Sequence, residues 1–160
     1  MKILITDANI LIDLLKTETD GSFFKLEYEI YTTLAVIIEC NDKQQAILIR
    51  YIKAGRLTVY SFNAEDDEKI ETLIKENRRL SPADCTVLYT TSKLEAILLT
   101  GDKKLRTTAD RKKLEVRGIL WVFDEMLKQK VIDKMTYKQK LTELKKINRW
   151  LPEDEFKKRL

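Results

Sequence analysis

Short apolar runs alternate along the chain with longer stretches of helical period, and this alternation restricts the fold more than any other feature of the sequence. Lys2 to Thr6 is a brief apolar run ending in polar residues able to open a helix, which predicts a buried strand. Glu29 to Thr33, Leu57 to Phe62, Ala96 to Thr100 and Gly118 to Phe123 predict four more. Helices are expected at Asn9 to Lys16, at Leu34 to Ala54 with Gly55 as the stop, and at Glu65 to Glu76 behind Asn63 as N-cap. Others are expected from Ser81-Pro82, over Thr136 to Asn148 and in a short stretch after Pro152. Strands that alternate with helices pair in parallel through right-handed crossovers. The expected fold class is therefore α/β, a three-layer α/β/α sandwich with a mainly parallel central sheet. It is expected as a single domain over residues 1–160, with 135–160 as a C-terminal helical extension.

With 44% hydrophobic and 35% charged residues the chain has the composition of a water-soluble domain, and no apolar run approaches the ~18 residues of a membrane span. MKILITDANILIDLL is interrupted by Asp7 and Asp13 and offers no small-residue cleavage site, so it reads as part of the fold, not as a signal peptide. A cytoplasmic location is expected. The two cysteines, Cys40 and Cys85, lie in apolar helical contexts and read as small core residues. The chain contains no histidine, which excludes Ser-His-Asp and Cys-His nucleophile systems, HExxH zinc sites and histidine general bases. Only four glycines are present, and neither GxGxxG nor a Walker A loop occurs. Carboxylates, metal ions and water remain as the means of hydrolytic chemistry.

Four acids far apart in sequence lie beside apolar segments: Asp7 in ITDAN, Glu39 in IIECN, Asp84 in SPADC and Asp102 in LLTGD. Ligands of open parallel sheets bind beyond the carboxyl ends of the strands, so Asp7 and Asp102 share that edge if their strands are neighbours. Four carboxylates gathered there repel one another unless a cation or protons intervene. Oxygen-only donors suit Mg²⁺ or Mn²⁺. Each acid also has a plainer explanation. Asp7 and Asp102 occupy N-cap positions, and Asp84 suits the positive end of its helix for roughly 0.3–1 kcal/mol. Glu39, within LAVIIECN, is the hardest to explain in that way, because a carboxylate in an apolar helical stretch is seldom buried unless paired or metal-bound.

Taken together, ITDANILIDLL, Glu39 in the next helix, LSPADCTVLYTTSKL and AILLTGDKKLR resemble the motifs of PIN-domain nucleases, especially the VapC-like toxins of bacteria and archaea. The resemblance runs from Met1 to about Asp124. It implies that Asp7, Glu39, Asp84 and Asp102 form a catalytic acidic metal site for Mg²⁺ or Mn²⁺. Asn9 would orient Asp7 or the water around the ion, and Thr6 and Thr100 would lend polar support. Asp124, after LWVF, stays outside this set as a helix-capping residue. The implied activity is cleavage of RNA to a 5′ phosphate and a 3′ hydroxyl. The implied partners are RNA, a small antitoxin and a second copy of the chain in a homodimer.

A net charge of +4 is mild, but Lys103, Lys104, Arg106, Arg111, Lys112, Lys113 and Arg117 follow closely on Asp102. Lys103, Lys104 and Arg106, nearest the acid, are the candidates for gripping RNA phosphates, although the same run also suits a solvated helix face. Trp121 falls in an expected strand, and Trp150, in INRWLPEDEF, reads as a packing anchor. Two rivals to a nuclease remain. One is a catalytically inactive PIN-like RNA-binding or scaffold protein, which would bind RNA without a metal. The other is a phosphatase-type module of another doubly wound fold, which DAN in place of DxD disfavours.

Overall fold

The structure, a computed structural model, describes residues 1–160. In chain order the elements are β1 (Ile3–Thr6), α1 (Ala8–Lys16), α2 (Asp20–Phe23), β2 (Glu29–Thr32), α3 (Leu34–Glu39), α4 (Asp42–Lys53), β3 (Thr58–Val59) and α5 (Ala64–Glu76). They continue with α6 (Pro82–Leu94), β4 (Ile97–Leu99), α7 (Lys103–Arg111), β5 (Glu115–Arg117), α8 (Ile119–Lys128), α9 (Lys134–Ile147) and α10 (Glu153–Arg159). The five strands form one all-parallel sheet in the order β3-β2-β1-β4-β5. This is the expected α/β/α architecture.

Burial explains the order. Leu4, Ile5, Leu98 and Leu99 on the two central strands are fully buried, as strands covered by helices on both faces must be. Leu4 faces Ile30 on one side and Ile97 on the other. The edges are short: β3 has two residues, Thr58 and Val59, and β5 has three, with Glu115 and Arg117 exposed. A very short edge strand, or one with exposed charges, discourages pairing with further strands. No helix is long and apolar enough to cross a membrane.

Three expectations are corrected, the first being that Trp150 anchors packing, for it is 97% exposed. The fifth strand is Glu115–Arg117, and the apolar run placed in it belongs to α8, together with Trp121. Ile119, Leu120, Val122, Phe123 and Met126 are all buried, which is a helical stripe that a five-residue window cannot separate from a strand. The single helix expected over Leu34 to Ala54 is two, because Cys40 is extended and Asn41 starts α4. Asn41 and Gln44 form a reciprocal capping box there, at 2.9 Å in both directions. Gly55, with φ +74°, follows α4 in the left-handed conformation that ends helices.

Candidate active site at the carboxyl edge of the sheet

The chain winds outward from β1 to β3 in one direction and continues from β4 to β5 in the other, so the order reverses between β1 and β4. Loops diverge at such a point and leave a crevice at the carboxyl ends. Asp7 follows β1 directly, and Asp102 lies three residues beyond β4. Asp84, in the first turn of α6, and Glu39, the last residue of α3, reach the same place. Asp7, Asn9, Glu39, Asp84 and Asp102 together line one cleft of about 30 Å³, with no basic residue among its walls.

Each acid is held differently. Asp7 is 5% exposed and caps α1, its Oδ1 accepting from the Ile10 N–H at 3.0 Å. Its Oδ2 accepts the Thr100 hydroxyl proton. That same hydroxyl oxygen accepts the Asp102 N–H at 3.0 Å, so Thr100 links the two acids across the switch point. Asp102 Oδ1 caps α7 through the Leu105 N–H at 2.9 Å. Asp84 and Ser81 form a capping box at the start of α6. Glu39 accepts no hydrogen bond and stands at the C-terminus of α3, where the helix dipole disfavours an anion. It is exposed, so burial does not account for it. Three acids thus serve as caps or capping partners, whereas Glu39 contributes nothing to its own helix.

α3 and α6 are joined by a hydrogen bond of 2.8 Å between the hydroxyls of Thr33 and Thr86. Thr86 donates to the Ala83 carbonyl, so its oxygen receives the Thr33 proton, while Thr33 accepts the Val36 N–H. This relay fixes the helix carrying Glu39 against the helix carrying Asp84. Sequence reasoning missed it, because threonines 53 residues apart carry no local signal.

Burial pushes the Asp7 carboxyl up to about 7, against the lowering effect of its bonds to Thr100 and Ile10, and the charges of Asp84 and Asp102 raise it further. Glu39 is raised as well, by partial desolvation and then by Asp84. No three side chains converge closely enough, as they stand, to hold an ion. The donor set nonetheless fits a hard divalent cation: four carboxylates around one cleft, no lysine or arginine among its walls, and a buried acid with no cation beside it.

The remaining candidates divide. Asn9 lines the cleft and is exposed. Thr6 bonds to none of the four carboxyl groups: its hydroxyl donates to the Asp7 backbone carbonyl at 3.1 Å and its own carbonyl receives Thr32 at 2.9 Å. Arg106 donates to the Thr100 carbonyl at 3.3 Å, beside Gly118. Lys103 and Lys104 open onto a separate groove. Asp124 lies inside α8 and caps no helix, contrary to expectation; it anchors the C-terminal helices, receiving the Tyr137 hydroxyl at 2.6 Å and Arg159 at 2.8 Å.

Removal of the Thr100 hydroxyl tests the link between acids. Thr100→Val is expected to slow any metal-dependent cleavage about 10-fold or more, as loss of supporting bonds around metal ligands does. It should also shift the acidic limb of the pH–rate profile upward, because Asp7 loses a bond that stabilises its charged form. Thr100→Ser should restore both, and an unmoved profile would remove Thr100 from the site.

A doubly wound α/β/α fold with an acidic cleft at its switch point defines the broad class. A PIN-domain family model matches residues 3–160, and the chain belongs to the PIN-domain family, whose members are generally nucleases using divalent metal ions. Among solved structures, PAE2754 from Pyrobaculum aerophilum is similar, with 16% identity and a TM-score of 0.57, covering 78% of this chain and 96% of that one. At that identity the likeness is one of fold. FitAcB from Neisseria gonorrhoeae aligns with 17% identity and a TM-score of 0.44, over 71% of this chain and 95% of that one. No functionally curated protein matches the sequence.

Proposed function

We propose that the protein is a metal-dependent endoribonuclease, the toxin of a type II toxin-antitoxin pair. The observation that carries the reading is the lining of one cleft by Asp7, Glu39, Asp84 and Asp102 with no lysine or arginine among its walls. Family membership supports nuclease chemistry. Asp7, Asp84 and Asp102, with Glu39 directly or through water, would hold Mg²⁺ or Mn²⁺. The bound ion would raise the acidity of a water and neutralise charge on the phosphate oxygens.

The chain's own groups have separate tasks. Asp7 is fixed by Thr100 and by the Ile10 N–H, so it gives the site an immobile carboxylate. Glu39 accepts no hydrogen bond from the protein, so its carboxylate is free to hold the ion directly or, through a water, to take a proton from the attacking water. Asn9, on the cleft wall, orients Asp7 or a water. Attack of the water would form a new P–O bond and break the bond to the 3′ oxygen, which would take up a proton from solvent, leaving a 5′ phosphate and a 3′ hydroxyl. The reading includes a homodimer and a cognate antitoxin. Support for a protein partner on the chain itself is apolar surface at Leu34 and Ile38, 61% and 66% exposed on the same helix as Glu39.

The deciding experiment is cleavage of a labelled RNA panel by purified protein in EDTA, Mg²⁺ or Mn²⁺, beside Asp102→Asn. Cleavage that requires the metal and falls about 100-fold or more in the variant is expected. RNA binding that persists in EDTA, with no cleavage under any condition, would favour an inactive RNA-binding scaffold.

A further inference from the structure

The basic run after Asp102 does not act as one patch. Lys112 borders a different hollow beside α5 and α6, Lys113 lies at the opposite, amino-terminal edge of the sheet, and Arg117 pairs with Glu115 at 3.5 Å. Arg106 turns back to the Thr100 carbonyl. Lys103, Lys104 and Arg111 remain, and they share a groove of about 410 Å³ with Arg78 and Arg79, which come from the turn between α5 and α6. Glu76 is the only acid on its walls and Leu80 the only apolar residue. None of the five cations takes part in an ion pair.

Five unpaired cations around one groove repel one another and are relieved by a polyanion. The position of the groove says which part of that polyanion it meets. One wall leads into Ser81 and the first turn of α6, which carries Asp84; the other begins at Lys103, the residue after Asp102. The groove and the acidic cleft therefore flank the same two helix starts. We propose that this groove binds the phosphodiester backbone of the RNA strand on one side of the scissile phosphate, with Arg78 and Arg79 as its outer phosphate contacts. The proposal rests on the nuclease reading for its substrate. No aromatic side chain lines the groove, so bases are not stacked there and this flank is read through phosphates, with little sequence preference.

The test is fluorescence anisotropy of a labelled single-stranded oligoribonucleotide in EDTA, with Arg78→Gln/Arg79→Gln compared with wild type and with Lys138→Gln/Lys146→Gln at exposed positions of α9. Two lost phosphate contacts should make the slope of log affinity against log salt shallower by about 1.4, and binding in about 0.1 M salt should weaken about 10-fold or more. The α9 variant should behave as wild type. In Mg²⁺ or Mn²⁺, cleavage by the groove variant should lose kcat/KM through KM, with kcat retained at saturating RNA. Wild-type affinity and salt slope in the groove variant would overturn the proposal while leaving cleavage, and hence the nuclease reading, intact. Groove-dependent binding with no cleavage under any metal would keep the groove and overturn the nuclease reading instead.

Discussion

Asp7→Asn is expected to reduce cleavage about 100-fold or more while making the metal-free protein more stable at neutral pH. The two effects have one origin. In the proposed site Asp7 is a buried acid kept for its charge, and the fold bears the cost of that charge when no cation is present. Asparagine keeps the shape and an oxygen for the Ile10 N–H, so α1 stays capped. The carboxyl of Asp7 rises from its ordinary 3.8 to about 7 on folding. Between those values the folded protein holds a proton that the unfolded chain has released, so stability falls as pH rises through the window. The full difference is on the order of 4 kcal/mol, an upper bound corresponding to a melting-temperature change of roughly 10 °C for a chain of this size. Thermal melts in EDTA from about pH 4 to pH 8 should show wild type losing stability and Asp7→Asn losing much less. Glu39 is shifted in the same direction and adds to the wild-type slope. Asp66 is lowered to about 2 by its bonds to Lys93 and Tyr89, and it titrates below the window. Mg²⁺ or Mn²⁺ should restore wild-type stability at neutral pH, because a ligand that binds only the folded state stabilises it. A wild-type melting temperature flat across this range would mean that Asp7 carries its charge without penalty, and the account of the site would fail.

Much of this site was legible because local signals and the wanted chemistry coincide. Ser81-Pro82 announces a helix start and Asn63 another, and both occur where expected. ITDAN and LLTGD each end an apolar run with an acid, which places a carboxylate at the end of a strand whatever the strand order. The adjacency of β1 and β4, which makes neighbours of Asp7 and Asp102, is a tertiary fact that no single segment encodes. Failures arose where an apolar run has no inherent period. ILWVF fits a strand or a helix equally, and only packing of Met126 with Val122 and Phe123 in the core decides for the helix. The capping box of Asn41 and Gln44 was readable, but it lies inside a long stretch of helical period, where a break of one residue leaves the apparent helix uninterrupted. The split of the basic run was in part readable too. Lys103, Thr107 and Arg111 recur every four residues and share a face of α7, whereas Arg106 lies off that face. Arg78 and Arg79 reach the groove from another turn, which helical spacing cannot reveal.

The second large effect concerns the C-terminal residues 135–160. We take them as integral to the single domain, and Phe156→Ala tests that assignment. Phe156 is 1% exposed within the same hydrophobic cluster as the sheet residues, with Lys145 over its ring at 5.9 Å. Arg159 grips Asp124 with two nitrogens, at 2.9 and 2.8 Å, the bidentate geometry in which guanidinium and carboxylate bind most strongly. Asn148 donates to Asp13 at 2.8 Å and so ties the end of α9 to α1, the helix that Asp7 caps. Truncating a buried phenylalanine to alanine leaves a cavity and costs about 3–5 kcal/mol, a large part of the stability of an ordinary domain. Chemical denaturation of Phe156→Ala should show a single transition moved to lower denaturant with an unchanged slope, because loss at α10 propagates through the common core. If instead the main transition kept its midpoint while amides of residues 135–160 alone lost protection from hydrogen exchange, those helices would be a separable appendage. The active-site fold would then stand without them.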